Sequence, residues 1–398
     1  MSDDRPGSLD RILVADFSRV LAGPLATMLL ADLGADVVKV EHPSGDDTRR
    51  WGPPWAPDGE ASYYLGLNRN KRSVALDLKV PEDLAAATDL ARRADVVIEN
   101  FRPGVMERFG LDEPSLRGSN PGVVYCTILG IGRGDVAGYD FLAQAVGGLM
   151  SITGDPDGEP RKVGVALVDV MTGLHATIGI LAALRHRERT GEGQLVEVDL
   201  LSTTLFALAN QASGYLTAGV MPGRMGNRHP SIAPYETLAT ADGPLVIAVG
   251  NDAQFRTFCR VLGEETLADD ERFATNAGRV TNRDALVDAL EARLRGASSA
   301  EWVDRLHAEG IPCGVVHDVA EAFAYATSVG LDPVATLTRR DGTPVDTAAN
   351  PLRFSRTPVR YDLAPPRVGE QTAEVLRDLG DANPSGRGSI GEEPEEDR

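Results

Sequence analysis

Residues 11–41 read RILVADFSRVLAGPLATMLLADLGADVVKVE, and the change of period inside this stretch decides the fold. Residues 12–15 form a short apolar run of strand type, and 17–24 punctuate it as a loop. Residues 25–33 are a helical stretch, which Gly34 ends. Residues 36–41 (DVVKVE) return to a strand pattern. A strand, a helix and a second strand within some thirty residues predict a βαβ start and hence parallel pairing.

The pattern continues along the chain. Strand-like runs are expected at 73–78, 95–99, 123–128 and 195–200, with a helix at 81–93 whose Pro81 suits the first turn. Residues 170–189 predict the longest helix, with Met171, Leu174, Ile178, Leu181 and Leu184 at helical spacing. Small and apolar residues fill much of its remaining circumference, so this helix is expected to be deeply buried. Arg185, Arg187 and Arg189 suit its C-terminal dipole end. Alternating strands and helices predict an α/β fold with an open, mainly parallel, Rossmann-like sheet. From about 225 the texture changes to a turn and strand at 242–249 and helices at 251–262, 284–295 and 300–309. Residues 1–224 are therefore expected to form the N-terminal part of a large α/β domain, and 225–325 a smaller α+β domain. Residues 326–382 return to the large domain, with short strands at 332–362 and a helix at 371–379. Residues 383–398, mostly Gly, Ser, Pro and acid, read as a disordered acidic tail.

Composition narrows the functional classes. The 398 residues are 42% hydrophobic and 25% charged, with a formal net charge of −19. That field disfavours nucleic acid and acidic lipid as partners. No uninterrupted apolar run reaches the length of a membrane span, and the polar N-terminus MSDDRPGSLD is no secretory signal. Cys126, Cys259 and Cys313 lack paired spacing and read as reduced thiols of a cytoplasmic protein. Six scattered histidines give no metal-ligand spacing, and no metal is expected. The stretch 17–24 lacks G-x-G-x-x-G, and no G-x-S-x-G nucleophile elbow occurs.

Positive signal gathers in two places. Basic residues cluster in turns beside the early strands: Arg69, Lys71 and Arg72, then Arg102 and Arg108. In an open α/β sheet ligands bind at the carboxyl ends of strands, where guanidinium forks suit phosphates. On composition alone these are solvated surface charges at least as readily as ligands. The second place is Asp169, immediately before the long helix. It reads as an N-cap or as an anion steadied by free helix amides, and periodicity does not separate the two.

Read together, LAGP (21–24), LGADVVKVEHPSGDDTR (33–49), NRNKRS (68–73), ENFRPGV (99–105), DVMTG (169–173) and ILAALRHRERTGEGQ (180–194) form an ordered set. GNRHPSIAPY (226–235), IPCG (311–314) and GEQTAEVL (369–376) extend it. Over residues 9–380 the chain resembles the family III coenzyme A transferases (CaiB/BaiF type), the group that includes formyl-CoA transferase and carnitine CoA-transferase. The resemblance implies that Asp169 is the nucleophile, that acyl-CoA is a substrate with no permanently bound cofactor, and that a small carboxylic acid is the acceptor. It implies CoA contacts from Asn68, Arg69, Asn70 and Lys71, from Asn100 and Arg102, from Arg108, and from Tyr139 beside Asp140. It implies an interlocked homodimer and an aspartyl anhydride followed by an aspartyl-CoA thioester. Oxyanions formed on the way are expected to meet amide donors near the helix start.

Two departures stand out. The run of glycines found in formyl-CoA transferases is missing, 223–235 standing in that region. The segment between Gly132 and Tyr139 is also short. The α-methylacyl-CoA racemases of the same superfamily need a histidine in an acid–base pair, but Tyr139 stands at that position and no histidine occurs between 43 and 174. A non-catalytic CoA-binding protein is the alternative from another class. Arg49, Arg50, Arg224 and Arg228 are candidates for holding the distal carboxylate of a donor such as succinyl-CoA, or else make ordinary packing contacts.

Overall fold

The protein's structure, a computed structural model, describes residues 6–133, 136 and 138–381. The opening stretch folds as β1 (Leu13–Asp16), α1 (Ala22–Asp32) and β2 (Asp36–Glu41). Helix α1 begins three residues before the expected 25. Pro24 falls in its first turn, where a missing N–H costs nothing. Gly34 ends the helix with φ +105°, a conformation that side chains resist.

The chain continues through α2 (Ser62–Leu65), β3 (Lys71–Ala75), α3 (Pro81–Arg93) and β4 (Val96–Glu99). Next come α4 (Val105–Phe109), α5 (Glu113–Arg117), β5 (Val124–Leu129), α6 (Asp140–Val146) and α7 (Leu167–Thr190). Strand β6 (Leu195–Asp199) and α8 (Leu200–Ala207) follow. The six strands form one parallel sheet in the order β3-β2-β1-β4-β5-β6. Val14 pairs with Val37 on one side and Val96 on the other, and all three are buried. Such valine-rich central strands are what a sheet covered on both faces requires. The strand order reverses between β1 and β4, so a crevice opens at the carboxyl ends of those two strands.

After α9 (Ala209–Ala218) come β7 (Tyr235–Ala239), β8 (Pro244–Ala248), α10 (Asp252–Leu262), α11 (Glu265–Asp269) and α12 (Asn276–Thr281). Helices α13 (Arg283–Leu294) and α14 (Ser299–Ala308), strand β9 (Cys313–Val315) and α15 (Val319–Ser328) complete this part. Strands β7, β8 and β9 pair antiparallel, and Phe255, Phe258, Phe273 and Trp302 fill a core beneath them. The chain then returns through a β10 (Val334–Thr338) and β11 (Pro344–Ala348) hairpin to α16 (Thr372–Asp381). Two compact units result: one of residues up to 148, 164–212 and from 332 onward, the other of 149–163 and 213–331. The expected acidic tail, 383–398, lies outside the described residues.

Helix α7 departs from expectation in two respects. It starts at Leu167, so Asp169 sits inside its first turn, and Ala166 occupies the N-cap. The N-cap reading of Asp169 is therefore corrected. The helix is also buried on one side only. Ala176, Ile180 and Ala183 are sealed, whereas Leu174 is 45% and Ile178 63% exposed. By length and apolar composition α7 could cross a membrane, but it packs as a crossover helix against α1, β5 and β6. Gly173 lets α1 and α7 meet closely: a Cβ there would lie 2.7 Å from the Ala22 carbonyl. All three cysteines are free thiols, Cys126 and Cys259 buried.

Candidate active site

At the crevice between β1 and β4 lies a cavity of about 200 Å³. The loop after β1 supplies Arg19 and Val20 to its lining, and the turn after β4 supplies Asn100, Phe101 and Arg102. Asp47, Tyr139 and Asp169 complete the polar lining. The two turns are tied together by Asn100. Its Oδ1 accepts the Arg19 N–H at 2.8 Å, and its Nδ2 donates to the Arg19 carbonyl at 2.8 Å. The Arg19 guanidinium lies 5.2 Å from the centre of the Phe101 ring and 3.6 Å from Asp47.

Val20 has φ 70°, a strained value for a β-branched residue. Its N–H is held by Asp46 at 3.3 Å, and Asp46 is fixed in turn by Lys39 at 2.9 Å and by the Thr48 N–H at 3.0 Å. Burial alone would raise the Asp46 carboxyl, but the Lys39 charge and the Thr48 amide outweigh it and hold it at about 2. The loop that brings Arg19 to the cavity is thus braced by a buried ion pair.

Asp169 is presented from the first turn of α7. Burial pushes its carboxyl up to about 7, and the nearby Asp140 carboxylate adds to the rise. Asp140, which opens α6, is buried. Its Oδ1 accepts the N–H groups of Val168 at 2.7 Å and Asp169 at 3.2 Å, and its Oδ2 accepts from Gln144 Nε2 at 2.6 Å. It acts as the cap that Ala166 has no side chain to provide. It also occupies two of the amides expected to meet an oxyanion, which corrects that expectation. Tyr63, pushed up to about 12 by burial and by the charges of Asp169, Asp140 and Asp46, stays a neutral phenol, packed edge-on to Trp51 at 5.3 Å.

The sequence-derived candidates fall into two groups. Asp169, Asn100, Arg102 and Tyr139 come together at the cavity, Tyr139 being 63% exposed. Asn68, Arg69, Asn70 and Lys71 do not, and their expected role as CoA ligands is corrected here to one in the framework. Arg69 donates to both oxygens of Asp32 at 2.9 and 2.7 Å and to the Ala348 carbonyl. Asn70 bonds Asp32 and the Arg360 carbonyl. Lys71 bonds Asp16, the Pro24 carbonyl and Asn68, whose amide in turn holds the Tyr64 carbonyl. All four side chains are buried, because a buried cation needs buried anions and finds them on α1 and β1. Asp140 is likewise a buried support rather than a surface ligand, and Arg108 lies exposed on α4 outside the cavity lining.

The four arginines considered for a distal carboxylate are engaged elsewhere. Arg49 is buried between Glu41 and Glu60, and Arg50 pairs with Asp47. Arg224 donates to the carbonyls of Asp155 and Gly158, and Arg228 pairs with Glu236 and Asp284. Sequence reading missed Arg19, Phe101 and Trp51 at the cavity. The carboxyl-end rule, applied to β1 as it was to β4, would have found Arg19. Among the described residues no histidine lines the cavity, and no group of acidic, histidine or cysteine residues could hold a metal ion.

Comparison with known proteins identifies the family. The family model described as CoA-transferase family III matches residues 9–372. A succinate–glutarate CoA-transferase of Agrobacterium fabrum is 44% identical over 386 residues, covering 94% of this chain and 96% of its own. The succinyl-CoA:glutarate CoA-transferase of Mus musculus is 38% identical over 376 residues, 93% and 86% of the two chains. The crystal structure of a CaiB/BaiF family protein from Brucella suis superposes with a TM-score of 0.82 at 42% identity, covering 94% of this chain and 100% of that one.

Proposed function

The chain belongs to CoA-transferase family III, and on that premise we propose that it moves coenzyme A from succinyl-CoA to a second dicarboxylate of about glutarate size, with Asp169 as nucleophile. The observation that carries this reading is the Asp169 carboxyl, pushed up to about 7 in a cavity lined by Arg19 and Arg102. A carboxylate of raised basicity is the better nucleophile, and the two guanidinium groups suit an incoming polyanion. The names of the bacterial and mouse relatives supply the choice of acids.

The steps balance without an energy-rich cofactor. An Asp169 oxygen attacks the thioester carbonyl of succinyl-CoA, and the C–S bond breaks to give a succinyl–aspartyl anhydride and CoA thiolate. The thiolate attacks the aspartyl carbonyl, expelling succinate and leaving an aspartyl-CoA thioester. The acceptor carboxylate attacks that carbonyl, thiolate departs again, and its return to the acceptor carbonyl yields the new acyl-CoA and free Asp169. Thiolate serves as leaving group twice because its conjugate acid ionises near pKa 8.5. Water must be kept away, since either intermediate would be hydrolysed.

A second copy completes the reading. Leu174 and Ile178 of α7 and Leu205 and Phe206 of α8 stand exposed, Phe206 by 76%, apolar side chains of the kind that mark an interaction surface. In a homodimer the partner covers it, which sedimentation of the purified protein tests.

The mechanism is tested by incubating the protein with succinyl-CoA and a panel of acyl-CoAs, then reading intact mass and mapping adducts by peptide. A CoA or acyl adduct on Asp169, abolished in Asp169→Asn, is expected, with glutarate discharging it. Solvent deuterium entering the acyl α-carbon with no transfer would replace the reading by a racemase. CoA binding with neither outcome would replace it by a non-catalytic CoA carrier.

A further inference from the structure

Two guanidinium groups line the Asp169 cavity, and their surroundings differ. Arg102 is exposed and borders a neighbouring cavity as well. Arg19 is held in place. Asn100 clamps its backbone from both sides, Asp46 fixes Val20 after it at φ 70°, and its guanidinium lies over the Phe101 ring. A cation placed in this way is pre-organised, so little freedom is left to lose when an anion binds.

What Arg19 lacks is a close anion. Arg49 and Arg69 each hold a buried carboxylate at 2.7 Å, Glu41 and Asp32 respectively. Arg19 comes only within 3.6 Å of Asp47, beyond hydrogen-bond range, with both side chains about half exposed. Asp47, which also lines the cavity, is bonded to Arg50 at 3.2 Å. Asp47 therefore keeps a cation if Arg19 turns away, and Arg19 gains a short charge-assisted bond if a better-placed carboxylate arrives. At about 200 Å³ the cavity is too small to enclose a nucleotide, so the acyl end of an acyl-CoA is what it holds beside Asp169.

Resting on the transferase reading above, we infer that Arg19 selects dicarboxylates: its guanidinium takes the distal carboxylate of the succinyl donor and of the acceptor, displacing Asp47. Asp47 is the internal anion that keeps this place until substrate fills it. A monocarboxylate of equal length has nothing to exchange for Asp47 and is passed over.

Two acceptors set in competition for one aspartyl-CoA intermediate make donor loading cancel. Protein loaded from succinyl-CoA receives glutarate together with valerate, its five-carbon monocarboxylate analogue, and mass spectrometry counts the two acyl-CoA products. The wild type is expected to favour glutarate by about a hundredfold or more. That preference is expected to fall at least about tenfold in Arg19→Met, with Arg19→Lys between the two and Asp47→Asn above the wild type. Arg19 is half exposed and its brace is made by backbone groups, so Arg19→Met is expected to melt with the wild type. Equal use of both acids by the wild type overturns the proposal, as does a glutarate preference that survives in Arg19→Met. Equal loss of transfer to both acids in a variant that melts normally also overturns it, because Arg19 would then serve the reaction at large. Failure of the wild type to transfer to either acid is instead the failure of the transferase reading, and selection by Arg19 falls with it.

Discussion

Replacing Asp169 with Asn should make the protein more stable while abolishing transfer. The carboxyl sits at about 7 against an ordinary 3.8. An acid whose folded pKa is raised holds its proton more tightly when folded, so its ionisation costs stability. Below 3.8 both states are protonated and nothing is lost. The cost grows as pH rises and is complete above about 7. Three pKa units correspond to about 4 kcal/mol. Asp169 is half-buried rather than sealed, so solvent screening reduces this to roughly 1–2 kcal/mol. Asn has the same shape and no charge to desolvate. Denaturant melts of both proteins at about pH 8 should show the variant ahead by that amount, with the gap closing toward about pH 4. Glu99 titrates in the same window in both proteins and cancels in the difference. A gap that is absent at the higher pH, or that persists unchanged at the lower one, refutes the account of Asp169 as a destabilised carboxylate.

Three further outcomes follow from the same contacts. Asp140→Asn keeps an acceptor for the Val168 and Asp169 amides but removes a charge that raises Asp169. The acidic limb of its kcat/KM profile should therefore move to lower pH, as measured by transfer assays across pH. Asn100→Ala releases the Arg19 backbone from two hydrogen bonds, so the acyl-CoA KM should rise several-fold to about tenfold with kcat less affected, at about 1 kcal/mol per bond. Lys71→Met strips the buried Asp16 of one cation and should destabilise the fold by about 3–5 kcal/mol in urea melts.

The opening βαβ unit was legible because its periods are local: Val37, Val38 and Val40 announce a strand, and Gly34 its approach. Asp169 was legible as a chemically placed carboxylate, although its position inside the helix was not, because Ala166 and Leu167 carry no start signal. The cap comes from Asp140, nearly thirty residues away, and no local pattern encodes that. The NRNKRS cluster was misplaced for a similar reason. Arg69 and Lys71 look like surface cations until Asp32 and Asp16 are known to face them, and those pairings are set by sheet order. The exposed side of α7 was hidden because an all-round apolar helix reads the same whether its second face meets its own chain or another.

The seam between the first and last parts of the chain has a consequence for synthesis on the ribosome. Edge strand β3 is closed by Gln371, whose N–H donates to the Ser73 carbonyl while its side chain accepts the Ser73 N–H. Arg69 and Asp32, synthesised far earlier, wait for Ala348 and Asn350 to complete their shell. The nascent large unit therefore emerges with an open sheet edge and a half-satisfied ion pair, and keeps both until residues 348–371 have been made. A message truncated after codon 200 but before codon 371 encodes every residue lining the Asp169 cavity and still yields no closed sheet to hold them.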